Sequence, residues 1–244
     1  MKKILFALGT AALALLATPA AAQYYYLPGS TTGNPGGLNA DAEYPVGGGL
    51  ATSWTTISAA PAASPAWSTV QTLPFAFNFN GSPVTQYKVS TSGVLTFDVN
   101  AATAPSYTKA ALPNAGIPDN SVCIWGLAAT GANDFIVNKT FGTAPNRQHW
   151  IMFSSYGIPN NTCWTYWAMA LEESTNKIYV VDQRNSCTGA TFAIGIQVNS
   201  TTAYSVNGSP NVAAQAGTDA TAGDNKYYEF IAGTQPSNNL IANS

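Results

Sequence analysis

The stretch LPFAFNFNGSPVTQYKVSTSGVLTF, residues 73–97, constrains the fold more than any other part of the chain. Phe75, Phe77 and Phe79 alternate with small or polar residues, which is the period of a β-strand with one buried face. Asn80-Gly81 follows at once and favours a tight hairpin, because both residue types tolerate positive φ. The alternation then resumes twice more. The pattern predicts a three-stranded β-meander covering one side of a hydrophobic core.

Short strand-like segments, separated by Gly, Pro, Asn and Thr, fill most of the chain after the first 22 residues, with no sustained helical apolar stripe. Beyond the meander, the predicted strands lie near residues 24–27, 53–57, 122–127, 135–141, 148–156, 162–171, 178–183, 191–198, 203–206 and 227–231. We therefore expect an all-β fold, an antiparallel β-sandwich or jelly roll of roughly ten strands with a draped N-terminal segment.

Composition divides the chain into four predicted parts. Residues 1–22 have a basic start, an apolar run and small residues at the end, which is typical of a secretory signal peptide cleaved after Ala22. The run is shorter than the roughly 20 residues of a membrane span, so we expect a secreted or cell-surface bacterial protein without membrane insertion. Residues 23–70 form a Gly- and Pro-rich arm, residues 71–232 the β-sandwich domain, and residues 233–244 a loose tail.

Charged residues make up 8% of the chain, and its net charge is −2. An ordinary soluble domain has about 25% charged residues. The sequence shows no basic stripe, so we expect no nucleic-acid partner. A surface of uncharged hydroxyls and amides gives little repulsion between copies, which favours self-association.

The chain has three cysteines, Cys123, Cys163 and Cys187. Cys163 and Cys187 flank two strand-like segments that would fold about Ser174–Asn176, which brings the two thiols nearly opposite each other. A Cys163–Cys187 disulfide is the first prediction, worth about 3 kcal/mol in the chain-entropy model. A Cys123–Cys163 bridge is the alternative. In the first case Cys123 would be a buried apolar filler.

The stretch 73–97 resembles a motif of bacterial exported β-sandwich modules, with the pattern LPF-x-F-x-F-x-G followed by V-S-x-x-G-x-L-x-F. Trp67 and the later YWAMALEESTNKIYVVD are similar to the same modules, and related patterns occur in nidogen-like and MAM-like extracellular domains. The resemblance extends over about residues 67–200 and implies an extracellular β-sandwich. Such modules occur in adhesins, matrix components and surface appendages, and as non-catalytic parts beside enzymes, so it implies no catalytic residues.

Catalytic patterns are poor. The single histidine, His149, could form a triad only with residues such as Ser154, Ser155 and Asp182, and no G-x-S-x-G elbow is present. One histidine also leaves no His-based zinc site. Glycoside hydrolysis needs two acids; the candidates are Glu172-Glu173, at a predicted turn, and Asp182 and Glu229, in strands. We expect no enzyme and no catalytic residue.

Calcium is the one cofactor that the sequence leaves open. NADAEY at 39–44 and TDATAGDN at 218–225 carry oxygen ligands of the kind hard cations prefer. Asp41, Asp219 and Asp224 are the candidate ligands. Neither stretch matches an EF-hand loop, and both also fit ordinary Asx-rich turns.

Aromatic residues supply two binding hypotheses. Trp150, Trp164, Tyr166 and Trp167 are candidates for stacking on an extracellular glycan; Trp164 and Tyr166 share one strand face, and Trp167 lies on the other. Core packing is the alternative for each. Tyr24, Tyr25, Tyr26 and Leu27 could anchor the arm on its own domain, or on a neighbour as an assembly arm by strand addition.

Together these features predict a secreted, non-catalytic structural or adhesive protein that self-associates into an extracellular filament or matrix. The alternative is a carbohydrate-binding module that uses aromatic residues on a sheet face or in the loop at 100–120. A secreted glycan hydrolase is the third hypothesis, and it requires two acids that converge in a cleft.

Overall fold

The structure, a computed structural model, describes residues 23–28, 33–43, 53–59 and 62–236. These residues form fourteen strands and two short 3₁₀ turns, Pro35–Gly37 and Ala222–Asp224. The strands are β1 (Tyr24–Pro28), β2 (Thr55–Ala59), β3 (Gln71–Phe79), β4 (Ser82–Ser90), β5 (Val94–Thr96), β6 (Ser121–Trp125), β7 (Phe135–Thr143), β8 (Asn146–Tyr156), β9 (Thr165–Glu172), β10 (Ile178–Asn185), β11 (Thr191–Asn199), β12 (Thr202–Ser205), β13 (Val212–Ala213) and β14 (Lys226–Ala232).

The strands form two antiparallel sheets that pack as a sandwich. The first sheet has the order β1-β14-β10-β9-β8-β7-β2. The second has the order β12-β11-β6-β5-β4-β3, and β13 adds to β11. The predicted fold class is therefore confirmed, with more strands than the roughly ten expected because several are short.

The hairpin that the sequence predicted best is β3–β4. Asn80 and Gly81 form its turn with φ of 51° and 76°, as the Asn-Gly pair predicts. Leu73, Phe75, Phe77 and Phe79 are buried, whereas the residues between them are exposed. Strand β3 therefore has one face on the core and one in solvent.

The main core lies between the two sheets. Phe77 and Phe79 from the second sheet pack there with Phe153, Trp167 and Phe230 from the first. Phe79 also lies 4.9 Å from Phe97, ring centroid to centroid. Aromatic side chains of this size supply much of the apolar area that a sandwich core buries.

The outer face of the first sheet carries a second hydrophobic cluster. Its buried members are Val137, Trp150, Met152, Tyr166, Ala168, Ala170, Tyr179 and Val181. The segment 33–43 crosses this face: Asp41 accepts from Lys139 of β7, and Gly36 lies beside Gln148 of β8. Strands β9 and β10, in the middle of this sheet, are buried along almost their whole length.

The outer face of the second sheet is covered by the loop between β5 and β6. Ile117, Ala110 and Leu112 of this loop pack over Cys123 and Trp125. The side chain of Gln197 on β11 holds the loop by accepting from Asn114 N–H at 2.8 Å and donating to the Ile117 carbonyl at 2.8 Å. Each sheet thus has a hydrophobic cluster on both faces, although β3, at the edge of the second sheet, keeps its outer face in solvent.

The structure contains the Cys163–Cys187 disulfide, with 5.0 Å between the two Cα atoms. It joins the start of β9 to the segment after β10, as the fold about Ser174–Asn176 predicts. Cys123 is a free, fully buried thiol, so the alternative Cys123–Cys163 bridge is wrong.

The sequence did not predict every element, and some predicted segments lie outside the described residues. Strand β13 and both 3₁₀ turns carry no sequence pattern that predicted them, and the third meander strand ends at Thr96, one residue before the end of the stretch 73–97. The predicted signal peptide, residues 1–22, lies outside the described residues, as does most of the predicted tail. Within the described ranges, no helix is long and apolar enough to cross a bilayer.

Candidate functional site

A polar recess opens at one end of the sandwich. It is formed by the loop between β6 and β7, an irregularity in β8 and the loop after β8, and its volume is about 290 Å³. Ser155 marks the irregularity with a φ of 64°, where the β8–β9 register shifts between Phe153 and Tyr156. The recess is lined by Thr130, Gly131, Ala132, Asn133, Asp134, Ser155, Asn161, Thr162, Cys163 and Trp164.

Asp134 is the acid of this recess. Its carboxylate accepts the Gly131 N–H at 2.7 Å, which closes the loop between β6 and β7. Burial raises the pKa of Asp134 to about 6, against the lowering effect of the Gly131 and Thr130 N–H groups. Asp134 therefore holds the shape of the loop and is one of the residues that line the recess.

Trp164 forms one wall of the recess and is partly exposed. The Arg184 guanidinium lies 4.8 Å from its ring centroid, and Tyr166 contacts the ring edge-on at 5.7 Å. Ser186 fixes the backbone, because its hydroxyl accepts the Trp164 N–H at 2.9 Å. The neighbouring disulfide at Cys163 adds to this rigidity.

The four aromatic residues predicted for glycan stacking separate in the structure. Trp164 and Tyr166 lie on one face of the first sheet and Trp167 on the other, as alternation predicts. Trp150 and Trp167 are fully buried, so their proposed stacking role is wrong: neither presents a ring to solvent. Tyr166 is also buried, and only Trp164 presents a partly exposed ring.

A shallower groove continues from the recess along the same end of the molecule. Tyr107 and Asn160 line three adjoining depressions of it, with volumes between about 340 and 870 Å³. Lys109 lies in the groove and donates to the Pro210 carbonyl at 2.8 Å and to Asn211 Oδ1 at 3.0 Å. The loop at 100–120 therefore contributes both to this groove and to the cover of the second sheet.

His149 and its conceivable triad partners do not form a catalytic arrangement. The imidazole Nε2 lies 2.8 Å from Tyr87 Oη and Nδ1 lies 2.9 Å from Thr140 Oγ1. Burial lowers the pKa of His149 to about 4. Both ring nitrogens are engaged by hydroxyls, so His149 connects the two sheets across the core.

The acids considered for hydrolysis each have a separate partner. Glu173 forms a bidentate ion pair with Arg147, at 2.6 and 2.7 Å, and Glu229 pairs with Lys177 at 2.6 Å. Glu172 accepts from Gln148 and Thr175. Asp182 is buried and accepts the Gln215 and Ala216 N–H groups. None of these carboxylates lines the recess beside Trp164.

The three candidate calcium ligands lie in two segments that meet. Asp41 is bound to Lys139 at 2.5 Å and to the Trp54 indole N–H at 2.9 Å. Asp219 is exposed and accepts the Thr221 N–H, and Asp224 accepts the Gly217 N–H. Across the described ranges, no three His, Cys, Asp or Glu side chains come together at metal-ligand spacing.

The tyrosine-rich arm is strand β1 at the edge of the first sheet, antiparallel to β14. Tyr24 enters the main core and its hydroxyl accepts the Asn80 N–H at 2.8 Å. The Tyr26 hydroxyl accepts the Asn207 N–H at 2.9 Å. Both rings therefore anchor the arm on its own domain, while Leu27 remains 40% exposed.

Comparison with known proteins gives one match. A family model described as NIDO related matches residues 49–238, which is most of the chain. No curated protein and no solved structure matches the sequence.

Proposed function

Because the chain belongs to the NIDO-related family, we propose that it is an extracellular, non-catalytic structural or adhesive module that associates with copies of itself through the edge of β1. The family and the disulfide are consistent with an extracellular location. A self-associating module of this kind would build a filament or matrix from one repeated contact.

The observation that carries this proposal is the outer edge of β1, which pairs with no other strand among the described residues. Gly233 N–H donates to the Gln23 carbonyl, and in an antiparallel ladder the bonded pairs alternate. Residues 25 and 27 therefore bond to β14, and the N–H groups of Tyr24 and Tyr26 point away from the sheet. Unpaired groups of this kind are a template for strand addition.

The surroundings of this edge suit a second copy of the chain. A groove of about 610 Å³ runs beside it, lined by Tyr24, Tyr25, Tyr26, Leu27, Pro28, Tyr204, Ser205, Asn207 and Gln235. None of these described lining residues carries a charge, whereas natural sheet edges are commonly protected by Lys or by inward-pointing charges. A second β1 would meet neither repulsion nor a buried charge here.

The Leu27→Lys variant tests this proposal by placing a charge on the edge without removing a β14 hydrogen bond. Sedimentation analysis over a range of concentrations should show oligomers for the wild type and a monomer for the variant. Val70→Lys is the matched control, because Val70 is 45% exposed and lies outside the β1 groove. A wild type that stays monomeric, or a Leu27→Lys variant that associates as the wild type does, would contradict the proposal.

The Trp164 recess supports a second candidate function, binding of a neutral glycan. A rigid, partly exposed indole beside a carboxylate, amides and hydroxyls offers one apolar face and several directed hydrogen bonds. Trp164→Ala should abolish binding on a glycan array without lowering the melting temperature by more than a few degrees. Trp67→Ala is the control, since Trp67 also lies under a cation, Lys88 at 4.9 Å, but away from the recess. Binding that survives Trp164→Ala would exclude this site.

A further inference from the structure

The segment 33–43 meets the loop before β14 at a buried polar junction. Glu43 N–H donates to the Ala220 carbonyl at 3.4 Å, and Gly33 N–H donates to the Asn225 carbonyl at 3.3 Å. Asn225 Nδ2 donates to Asn34 Oδ1 at 2.8 Å. Two stretches that the sequence suggested separately as calcium loops therefore come together in space.

Several buried oxygen atoms at this junction have no hydrogen-bond partner among the residues that the structure describes. Glu43 is 1% exposed, and among the described residues neither of its carboxylate oxygens has a partner of full hydrogen-bond geometry. Asn225 is fully buried, and its Oδ1 also has no hydrogen-bond partner among the described residues. Asp224 uses Oδ2 to accept the Gly217 N–H at 2.7 Å, which leaves Oδ1 buried and without a donor. Buried acceptors of this kind destabilise a fold unless a donor or cation satisfies them.

The orientation of the Asn225 amide follows from its neighbours. Asn34 Nδ2 donates to the Asn39 carbonyl at 3.0 Å, so Asn34 Oδ1 is left to accept from Asn225 Nδ2. The Asn225 oxygen is consequently fixed as a free acceptor. The Asn225 side chain also faces the Glu43 carboxylate as a donor and lowers its pKa.

Glu43 and Asp224 lie on the two segments that these hydrogen bonds join. Burial raises the pKa of Glu43 to about 8, and the charges of Asp224 and Asp219 raise it further, against the lowering effects of Asn225 and Arg184. Asp224 also raises the pKa of Asp182, whose Oδ1 is another buried oxygen without a donor. Glu43, Asp224, Asn225 and Asp182 each contribute a buried oxygen atom without a partner in the described ranges, and oxygen atoms of this kind are the ligands that a hard cation takes.

We propose that a calcium ion binds between the segment 33–43 and the loop 217–225, with Glu43, Asp224 and Asn225 as protein ligands. Two carboxylates and one amide fall short of a group of three acids, in keeping with the absence of such a group from the described residues. Calcium completes six to eight positions with backbone carbonyls and water, and it tolerates irregular geometry. The ion would fasten the cover of the first sheet to the start of β14.

The test compares the wild type with Glu43→Gln, Asp224→Asn and the control Asp119→Asn, which removes a charge from an exposed residue in a different loop. Each protein is stripped with a chelator and then titrated calorimetrically with calcium chloride. Titration to about 10 mM covers the range of about 0.1–1 mM at which extracellular modules bind calcium. Magnesium chloride is titrated in parallel.

We expect calcium to bind the wild type and Asp119→Asn, to raise their melting temperatures by about 5 °C at saturating concentration, and to bind both site variants at least tenfold more weakly. Magnesium should bind weakly or not at all. Absence of calcium heat in the wild type, or unchanged affinity in both site variants, would overturn the proposal. Melting in chelator shows whether each variant is folded, so a lost heat is not confused with an unfolded protein.

Discussion

The β3–β4 and β9–β10 hairpins share a backbone plan and differ in their surroundings. Each turns through an asparagine of positive φ, Asn80 at 51° and Asn176 at 54°. Strand β3 buries every second residue, whereas β9 and β10 bury almost all of theirs. A sheet face exposed to water produces visible alternation in the sequence. A strand in a sheet covered on both faces shows no such alternation, and the segments that cover it come from elsewhere in the chain.

The two hairpins should differ most in how much stability the protein loses when a carboxylate is placed on the outward face of each. Ala170→Asp on β9 would bury an unpaired charge against Trp150, and we expect it to destabilise the protein by at least about 3 kcal/mol. Ala76→Asp on β3 points into solvent and should change stability by no more than about 0.5 kcal/mol. Chemical denaturation measures both, and equal losses would show that β9 is not covered on its outer face.

The two hairpins also differ in that a disulfide closes β9–β10 and none closes β3–β4. Removing the disulfide tests this difference. The Cys163→Ala/Cys187→Ala double variant should lose about 3 kcal/mol. A reductant should lower the melting temperature of the wild type and of Cys123→Ala, but not that of the double variant. A double variant as stable as the oxidised wild type would contradict this expectation.

The contact between His149 and Tyr87 joins β4 to β8. It makes the free energy of unfolding depend on pH. The pKa of buried His149 is lowered to about 4, so between about pH 4 and 6.5 the unfolded chain binds more protons. Stability from this group is fully present above pH 6.5 and is lost as the pH falls, by about 2 kcal/mol at pH 5.

Asp134 and Asp182, whose pKa values are raised to about 6, act in the opposite direction over part of this range. The prediction is therefore the difference between wild type and His149→Gln, followed by denaturation at several pH values. NMR titration of the single imidazole gives its pKa directly, and a value near 6.5 would refute the assignment.

Substitutions in the two turns should lower stability least, and by similar amounts in the two hairpins. Gly81→Ala places a Cβ at a φ of 76° and should cost about 1 kcal/mol. Asn176→Ala loses a residue tolerant of positive φ and an acceptor for the Asn78 N–H at 2.7 Å, at a similar cost of about 1 kcal/mol. Denaturation curves that differ by more than about 1 kcal/mol would show that the turns are not equivalent.

The sequence predicted the strands well where each strand obeys a local rule. Alternation located β3, the Asn-Gly pair located its turn, and cysteine spacing located the disulfide. The two-residue strand β13 has no period to detect. Local patterns also placed Trp164 and Tyr166 on one face, but could not say that Trp150 and Trp167 lie in cores on opposite faces of the sheet.

The candidate sites were harder to predict because they depend on contacts between distant segments. The recess combines Asp134 and Trp164, which no motif connects. Glu43 stands in the NADAEY stretch, where an acid in a polar loop is expected to be solvated, and its burial depends on the meeting with residues 217–225. The acidic residues of the stretches 39–44 and 218–225 were the only feature of the sequence that indicated a cation site.

The hydrogen bond between Gly233 and Gln23 has a mechanical consequence. The chain enters β1 beside the point at which it leaves β14, so tension between Gln23 and Gly233 would open the pairs one after another, as a zipper opens. Handles at Pro28 and Ala232 would load the same pairs in shear and should need a higher force in optical-tweezer experiments. A module that bears load through Gln23 and Gly233 would yield first at β1 and keep the disulfide-closed hairpin intact.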